Sequence, residues 1–166
     1  MAEFQLERLL RHLTGRGIDF VVIGGIAAAL LGSAHDTFDL DICPATDSEN
    51  LDQLGSALLE LDVRLREIEE SVPFVPDGAS LARMEILTLE TSAGPLDVLM
   101  RPDGGPPYAQ LRRRAERKDL GGFQVLVAGV DDLIAMKSSA GRPKDLIVVE
   151  ELEAIKRLRR RLGKDG

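Results

Sequence analysis

The stretch FVVIGGIAAALLGSAHDTFDLDIC, residues 20–43, holds the pattern that decides the fold of this chain. Phe20 to Ile23 is a short, continuous apolar run, which reads as a strand buried on both faces. Gly24-Gly25 makes a turn, and Ile26 to Leu31 opens a helix with no polar residue in it. Farther on, Phe38, Leu40 and Ile42 alternate with Asp39 and Asp41, the period of a strand, and Pro44 ends the run. Residues two apart in a strand point the same way. Both carboxylates are therefore expected on one face, about 7 Å apart, with Phe38, Leu40 and Ile42 covering the other.

Working outward, Phe4, Leu6, Leu9, Leu10 and Leu13 recur near the helical period until Gly15 and Gly17 stop them. Residues 47–61 read as a helix with Leu51, Leu54, Leu58 and Leu61 on one side and Asp47 or Ser48 as its cap. Pro and Gly mark a loop from Ser71 to Ser80, and Met84 to Glu90 with Leu96 to Met100 flank Ser92-Ala93-Gly94 as a hairpin. After the connection Pro102 to Pro107, a basic helix is expected from about Tyr108 to Lys118 and a short strand from Phe123 to Val127. Two helices, about Asp131 to Ala140 and Pro143 to Leu162, close the chain. The order specifies an α+β (mixed α/β) fold: a mixed sheet with flanking helices and a C-terminal helical segment.

The 166 residues, 44% of them hydrophobic, suffice for one domain, 1–166, without staples. A lone Cys43 excludes a disulfide framework, and two histidines argue against a histidine-built metal site. No apolar run approaches the ~20 residues of a membrane span, and no basic-then-apolar leader opens the chain, so a cytoplasmic location without membrane contact is expected. The net charge of −7 argues against general coating by nucleic acid. It is unevenly spread: residues 1–103 carry 7 basic and 19 acidic side chains, residues 104–166 carry 14 and 9. An acidic, cation-collecting half thus precedes a basic, mainly helical half, although solvated helix faces alone would give the same count.

Asp39 and Asp41 repel each other unless a cation lies between them, and an oxygen-only site of this kind suits Mg²⁺. An outward polar face of a half-exposed strand is an equal reading of the pair. Asp97 lies in the apolar run Gly94 to Met100, where a lone carboxylate is costly. A cation shared with Asp39 and Asp41 would compensate it, and so would a salt bridge to an arginine. Gly24 and Gly25, between a strand and a helix, allow backbone N–H groups to approach a phosphate, or simply satisfy a tight turn. Lys137 falls on the apolar helix face of Val130, Leu133 and Ile134, from which it can reach a buried anion or snorkel to solvent. Pro143 fits a first helical turn, so Asp145 is at least as much a cap as a chemical group.

In this order, Gly24-Gly25, then Thr37-Phe38-Asp39-Leu40-Asp41-Ile42, then Leu96-Asp97-Val98-Leu99 resembles the signature of the DNA polymerase β-like nucleotidyltransferase superfamily. Within it the chain is most similar to the small bacterial toxin nucleotidyltransferases of the AbiEii and MenT group, whose helical Lys followed by Arg-x-Lys-Asp matches Lys137 with Arg142-Pro143-Lys144-Asp145. Two features depart from that group: His35 stands where an Arg is usual, and the turn is Gly-Gly where many relatives have Gly-Ser.

The resemblance implies a Mg²⁺-dependent enzyme that moves a nucleoside monophosphate from an NTP to an acceptor hydroxyl. The acceptor would be a tRNA 3′ end in a toxin–antitoxin setting, with a cognate antitoxin as partner. Asp39, Asp41 and Asp97 would hold metal. Gly24, Gly25, Thr37, Lys137, Arg142, Lys144 and Asp145 would hold the nucleotide, and Lys137 would also act in the chemical step. Rival readings are transfer to a protein or to an aminoglycoside-like small molecule, and a non-catalytic binding module on the same fold. Two basic stretches, Arg112 to Lys118 and Lys156 to Lys164, fit either solvated helix faces or contacts to an RNA backbone.

Overall fold

The computed structural model describes residues 3–66, 74 and 76–163. Helix α1 (Leu6–Gly15) leads into strand β1 (Phe20–Ile23), which passes without a break into α2 (Gly24–Leu31). Strand β2 (Leu40–Pro44), helix α3 (Ser48–Glu60), the two-residue strand β3 (Arg64–Leu65) and the short helix α4 (Gly78–Ala82) follow. A hairpin of β4 (Ile86–Thr91) and β5 (Gly94–Leu99) precedes α5 (Tyr108–Arg114), β6 (Glu116–Asp119) and β7 (Gln124–Val127). The helices α6 (Val130–Ala140) and α7 (Pro143–Arg161) complete the order.

The described strands form one mixed sheet in the order β3-β4-β5-β2-β1-β7-β6. β2 lies at its middle, parallel to β5 and antiparallel to β1, while β1 runs parallel to β7. A central strand loses solvent on both sides, which explains why all four residues of β1 are buried. On one face of β2, Leu40 and Ile42 are fully buried and pair with Leu96 and Val98. The register Asp41↔Asp97 puts two carboxylates side by side on the opposite face.

Local signals account for most boundaries. Asp47 caps α3 by accepting from the Asn50 backbone N–H at 3.1 Å. The buried Asn50 amide then accepts from Asp19 N and donates to Asp19 O and Ala45 O, tying the start of β1 to the end of β2. Leu9, Leu10 and Leu13 of α1 and Leu51, Leu54, Leu58 and Leu61 around α3 enter the core as their spacing requires. Cys43 is buried, and burial pushes its thiol up to about 12, so it is an inert core residue.

Four expectations need correction. Phe38 is not on the core face: it precedes β2 in an irregular segment and is 73% exposed. The basic helix ends at Arg114, because Ala115 turns into extended backbone and residues 116–119 pair with β7 as an edge strand. Its charged residues alternate there between solvent and ion pairs. In α7, whose spacing predicts Val149, Leu152, Ile155 and Leu158 on the inner face, the inward positions are Val148, Leu152 and, in part, Ile155; Leu158 is exposed, so the apolar stripe drifts away from it. Of the loop expected over 71–80, residues 71–73 and 75 lie outside the described residues, and Asp77 caps α4, accepting from Ser80 N. Among the described residues no helix is long and apolar enough to cross a membrane.

Candidate functional site

A cleft of about 240 Å³ opens where β1 gives way to α2 and is closed on the far side by α6 and the first turn of α7. Its lining includes Gly25, Thr37, Asp39, Asp41, Asp97, Lys137, Arg142, Lys144 and Asp145. Nine of the ten residues assigned to the site from sequence therefore meet in one place. The tenth, Gly24, lies directly behind Asp41.

Gly24 has φ +71°, and a Cβ added there would sit 2.0 Å from Asp41 Oδ2. The glycine is thus required twice, by a left-handed backbone and by the close approach of the carboxylate. Gly25 is less constrained; a Cβ there would meet the Thr37 side chain at 3.0 Å. The Thr37 hydroxyl donates to Asp39 Oδ1 at 3.3 Å, orienting the first carboxylate of the pair.

Asp39, Asp41 and Asp97 each offer one oxygen, and these three atoms lie within 4.8 Å of one another. Asp41 Oδ1 and Asp97 Oδ1 are buried without a hydrogen-bond partner. Burial, then the Asp39 and Asp97 charges, push the Asp41 carboxyl up from 3.8 to about 8, with Lys137 pulling the other way. The Asp97 carboxyl is also raised, by burial first, against the opposing pull of Arg66. Half-buried, crowded and orphaned oxygens are the environment that a hard divalent cation stabilises, so this donor set fits one.

On the opposite wall Asp145 organises the cations. Its carboxylate accepts from the Arg142 backbone N–H at 3.2 Å, receives the Arg142 guanidinium on both oxygens and stands 3.5 Å from Lys137 Nζ. Arg142 holds this carboxyl below the usual range. Asp145 is therefore a helix cap and a counter-ion that presents Lys137 and Arg142 to the cleft. Lys137 is only 17% exposed and does not snorkel. His35 also lines the cleft but is held by α7: its Nδ1 lies 3.1 Å from Glu151 Oε1, and Glu151 Oε2 also accepts from Ala34 N and Ser33 Oγ. The loop that carries His35 is in this way fastened to α7.

Arg66 escaped the sequence reading. Its Nη2 stands 2.9 Å from Asp97 Oδ1, in ion-pair contact but without hydrogen-bond alignment, and donates at 2.7 Å to Leu89 O. Asp97 thus lies in one cleft with Asp39 and Asp41 and also meets an arginine. The only hint was the alternation Val63, Arg64, Leu65, Arg66, too short to separate from a loop. Part of the basic charge of the two arginine-rich stretches is neutralised internally, by Arg114–Asp132, Lys118–Glu116, Lys156–Asp131 and Arg159–Glu116 pairs.

No family model and no curated protein matches the sequence. Solved structures do share the fold. The chain is similar to the lincosamide antibiotic adenylyltransferase LnuA in its lincomycin-bound form, at TM-score 0.61 and 14% identity, with 91% of this chain and 96% of that chain covered. It is also similar to ANT(2")-Ia in complex with adenylyl-2"-tobramycin, at TM-score 0.54 and 15% identity over 93% and 94% of the two chains. An antigenic nucleotidyltransferase-like protein from Paracoccidioides brasiliensis aligns at TM-score 0.53 and 18% identity over 95% and 79%. The fold is that of nucleotidyltransferases.

Proposed function

We propose that the protein is a metal-dependent nucleotidyltransferase that moves a nucleoside monophosphate from an NTP to an acceptor hydroxyl. The carrying observation is the cluster of Asp39, Asp41 and Asp97 oxygens within 4.8 Å, facing Lys137 across a cleft. Those three carboxylates would hold the ion, with Mg²⁺ favoured by an all-oxygen donor set. When bound, such an ion supplies Lewis-acid stabilisation of phosphoryl oxygens. Asp97 would take the proton of the acceptor hydroxyl on a carboxylate oxygen. The acceptor oxygen then bonds to the α-phosphorus as the bond to the bridging oxygen breaks, and pyrophosphate leaves. Lys137 and Arg142, held by Asp145, would bind the negative charge that gathers on the leaving phosphates. The α2 N-terminus at Gly24-Gly25 would approach the phosphates with backbone N–H groups.

For the acceptor we favour a small polar molecule carrying hydroxyls. Two neighbours in fold are antibiotic adenylyltransferases of matching length, and the basic groups that would track an RNA backbone are partly spent on Asp131, Asp132 and Glu116. Protein incubated with each labelled NTP, Mg²⁺ and, in parallel, aminoglycosides, lincosamides or total RNA tests this directly. Label on a small molecule is the expected result. Label on tRNA would restore the toxin-type acceptor, and no transfer to any acceptor would remove the enzymatic reading. Lys137→Met is expected to lower kcat about 10²- to 10³-fold while Mn²⁺ affinity in the absence of nucleotide is kept. A change confined to KM would make Lys137 a ground-state binding group instead.

A further inference from the structure

Among the described residues, four buried side-chain polar atoms lack a hydrogen-bond partner: Asp41 Oδ1, Asp97 Oδ1, Arg66 Nε and Glu90 Oε1. They are not scattered. Asp41 pairs with Asp97 across β2 and β5, Asp97 with Thr88 across β5 and β4, and Arg66 follows β3 to bond Thr88 O through its backbone, two residues along β4 from Glu90. Asp41, Asp97 and Arg66 thus lie in one row across the sheet, and Glu90 borders it from the next same-face position of β4. Unsatisfied buried groups are rare in folded proteins, and a cluster of them calls for partners that this arrangement does not supply.

Arg66 is the member able to move. It touches Asp97 through Nη2 at 2.9 Å, while its Nε lies 3.9 Å from Oε2 of Glu90, a carboxylate only 6% exposed that meets no other cation among the described residues. A shift of about 1 Å would bring that nitrogen within hydrogen-bond range of Glu90. We propose that Arg66 is a positioning residue that exchanges between two carboxylates: it stands in for the cation at Asp97 in the metal-free protein and withdraws to Glu90 when a divalent ion takes Asp97. The exchange leaves none of the four atoms orphaned. The ion accepts the Asp41 and Asp97 oxygens, and the guanidinium fork meets the Glu90 carboxylate. It rests on the reading of the triad as a divalent-ion site.

The exchange makes two neighbouring substitutions act in opposite directions. Calorimetric titration of Mn²⁺ into Arg66→Met should show binding about tenfold tighter than in the parent, because a competing cation is gone. Glu90→Gln should bind about tenfold more weakly, because the withdrawn guanidinium has no counter-ion. The double variant should behave like Arg66→Met, since Glu90 acts only through Arg66. A purely structural role for the pair would weaken binding in both single variants, and that result would overturn the exchange while leaving the triad a metal site. Absence of Mn²⁺ binding in parent and Arg66→Met alike would overturn both. Should a variant fail to fold, the parent crystallised with and without Mn²⁺ decides: Arg66 Nε must lie about 3 Å from Glu90 with the ion present. An Arg66 still in contact with Asp97 beside a bound ion refutes the exchange.

Discussion

Asp41→Asn is expected to lower nucleotide transfer by roughly a thousandfold or more while making the metal-free protein more stable. Asp41 shares the triad with Asp39 and Asp97, stands beside Asp97 in the strand register and is pressed against Gly24. Its carboxyl is raised from 3.8 to about 8, chiefly by burial. Between those two values the unfolded chain has released this proton and the folded protein still holds it, so stability falls as pH rises. The Asp41 contribution to the stability of the metal-free parent should therefore be greatest at the acid end of that window and be lost towards pH 8. The Asn variant should lack this slope and melt higher at pH 8, by about 2–4 °C for each kcal/mol recovered. An Asn variant that melts lower at pH 8 would make Asp41 a structural residue, and one that retains transfer would remove it from the reaction.

Gly24→Ala should be the most damaging single methyl in the site. The left-handed φ of +71° costs an alanine about 1–2 kcal/mol, and its Cβ would overlap Asp41 Oδ2 at 2.0 Å. Either the turn or the carboxylate must move. Mn²⁺ binding and transfer should both be lost, with a melting temperature several degrees below the parent. Gly25→Ala is the control: φ there is not in the left-handed region and the nearest atoms belong to the Thr37 side chain, so a milder loss is expected. Equal damage from the two substitutions would mean that the approach of Asp41 to Gly24 does not shape the site.

The central strands and the triad were legible because their signals are local and strong. A four-residue apolar run, a glycine pair and an Asp-x-Asp alternation each permit few conformations, and Asp97 in an apolar strand demanded a compensating charge. Phe38 was misplaced because alternation extended one step too far, past the point where Leu40 begins to pair with Leu96. Residues 116–119 were misread since ERKD has no strand propensity; pairing with β7 and the Arg159–Glu116 ion pair hold them there. Arg66 and Glu90 were invisible for a similar reason. Their meaning comes from the register of β3, β4 and β5, which no local pattern encodes. Lys137 and Asp145 stood out from their helix positions, yet the pairing that makes Asp145 the holder of two cations emerges only from the α6–α7 turn.

The most direct test of the site is the anomalous difference density of a crystal grown with Mn²⁺ and a non-hydrolysable NTP. The account requires a peak bound by carboxylate oxygens of Asp39, Asp41 and Asp97 at about 2.1–2.3 Å, with the triphosphate reaching towards Lys137. A peak held by other residues, or a nucleotide bound with no ion between it and the three carboxylates, would contradict it.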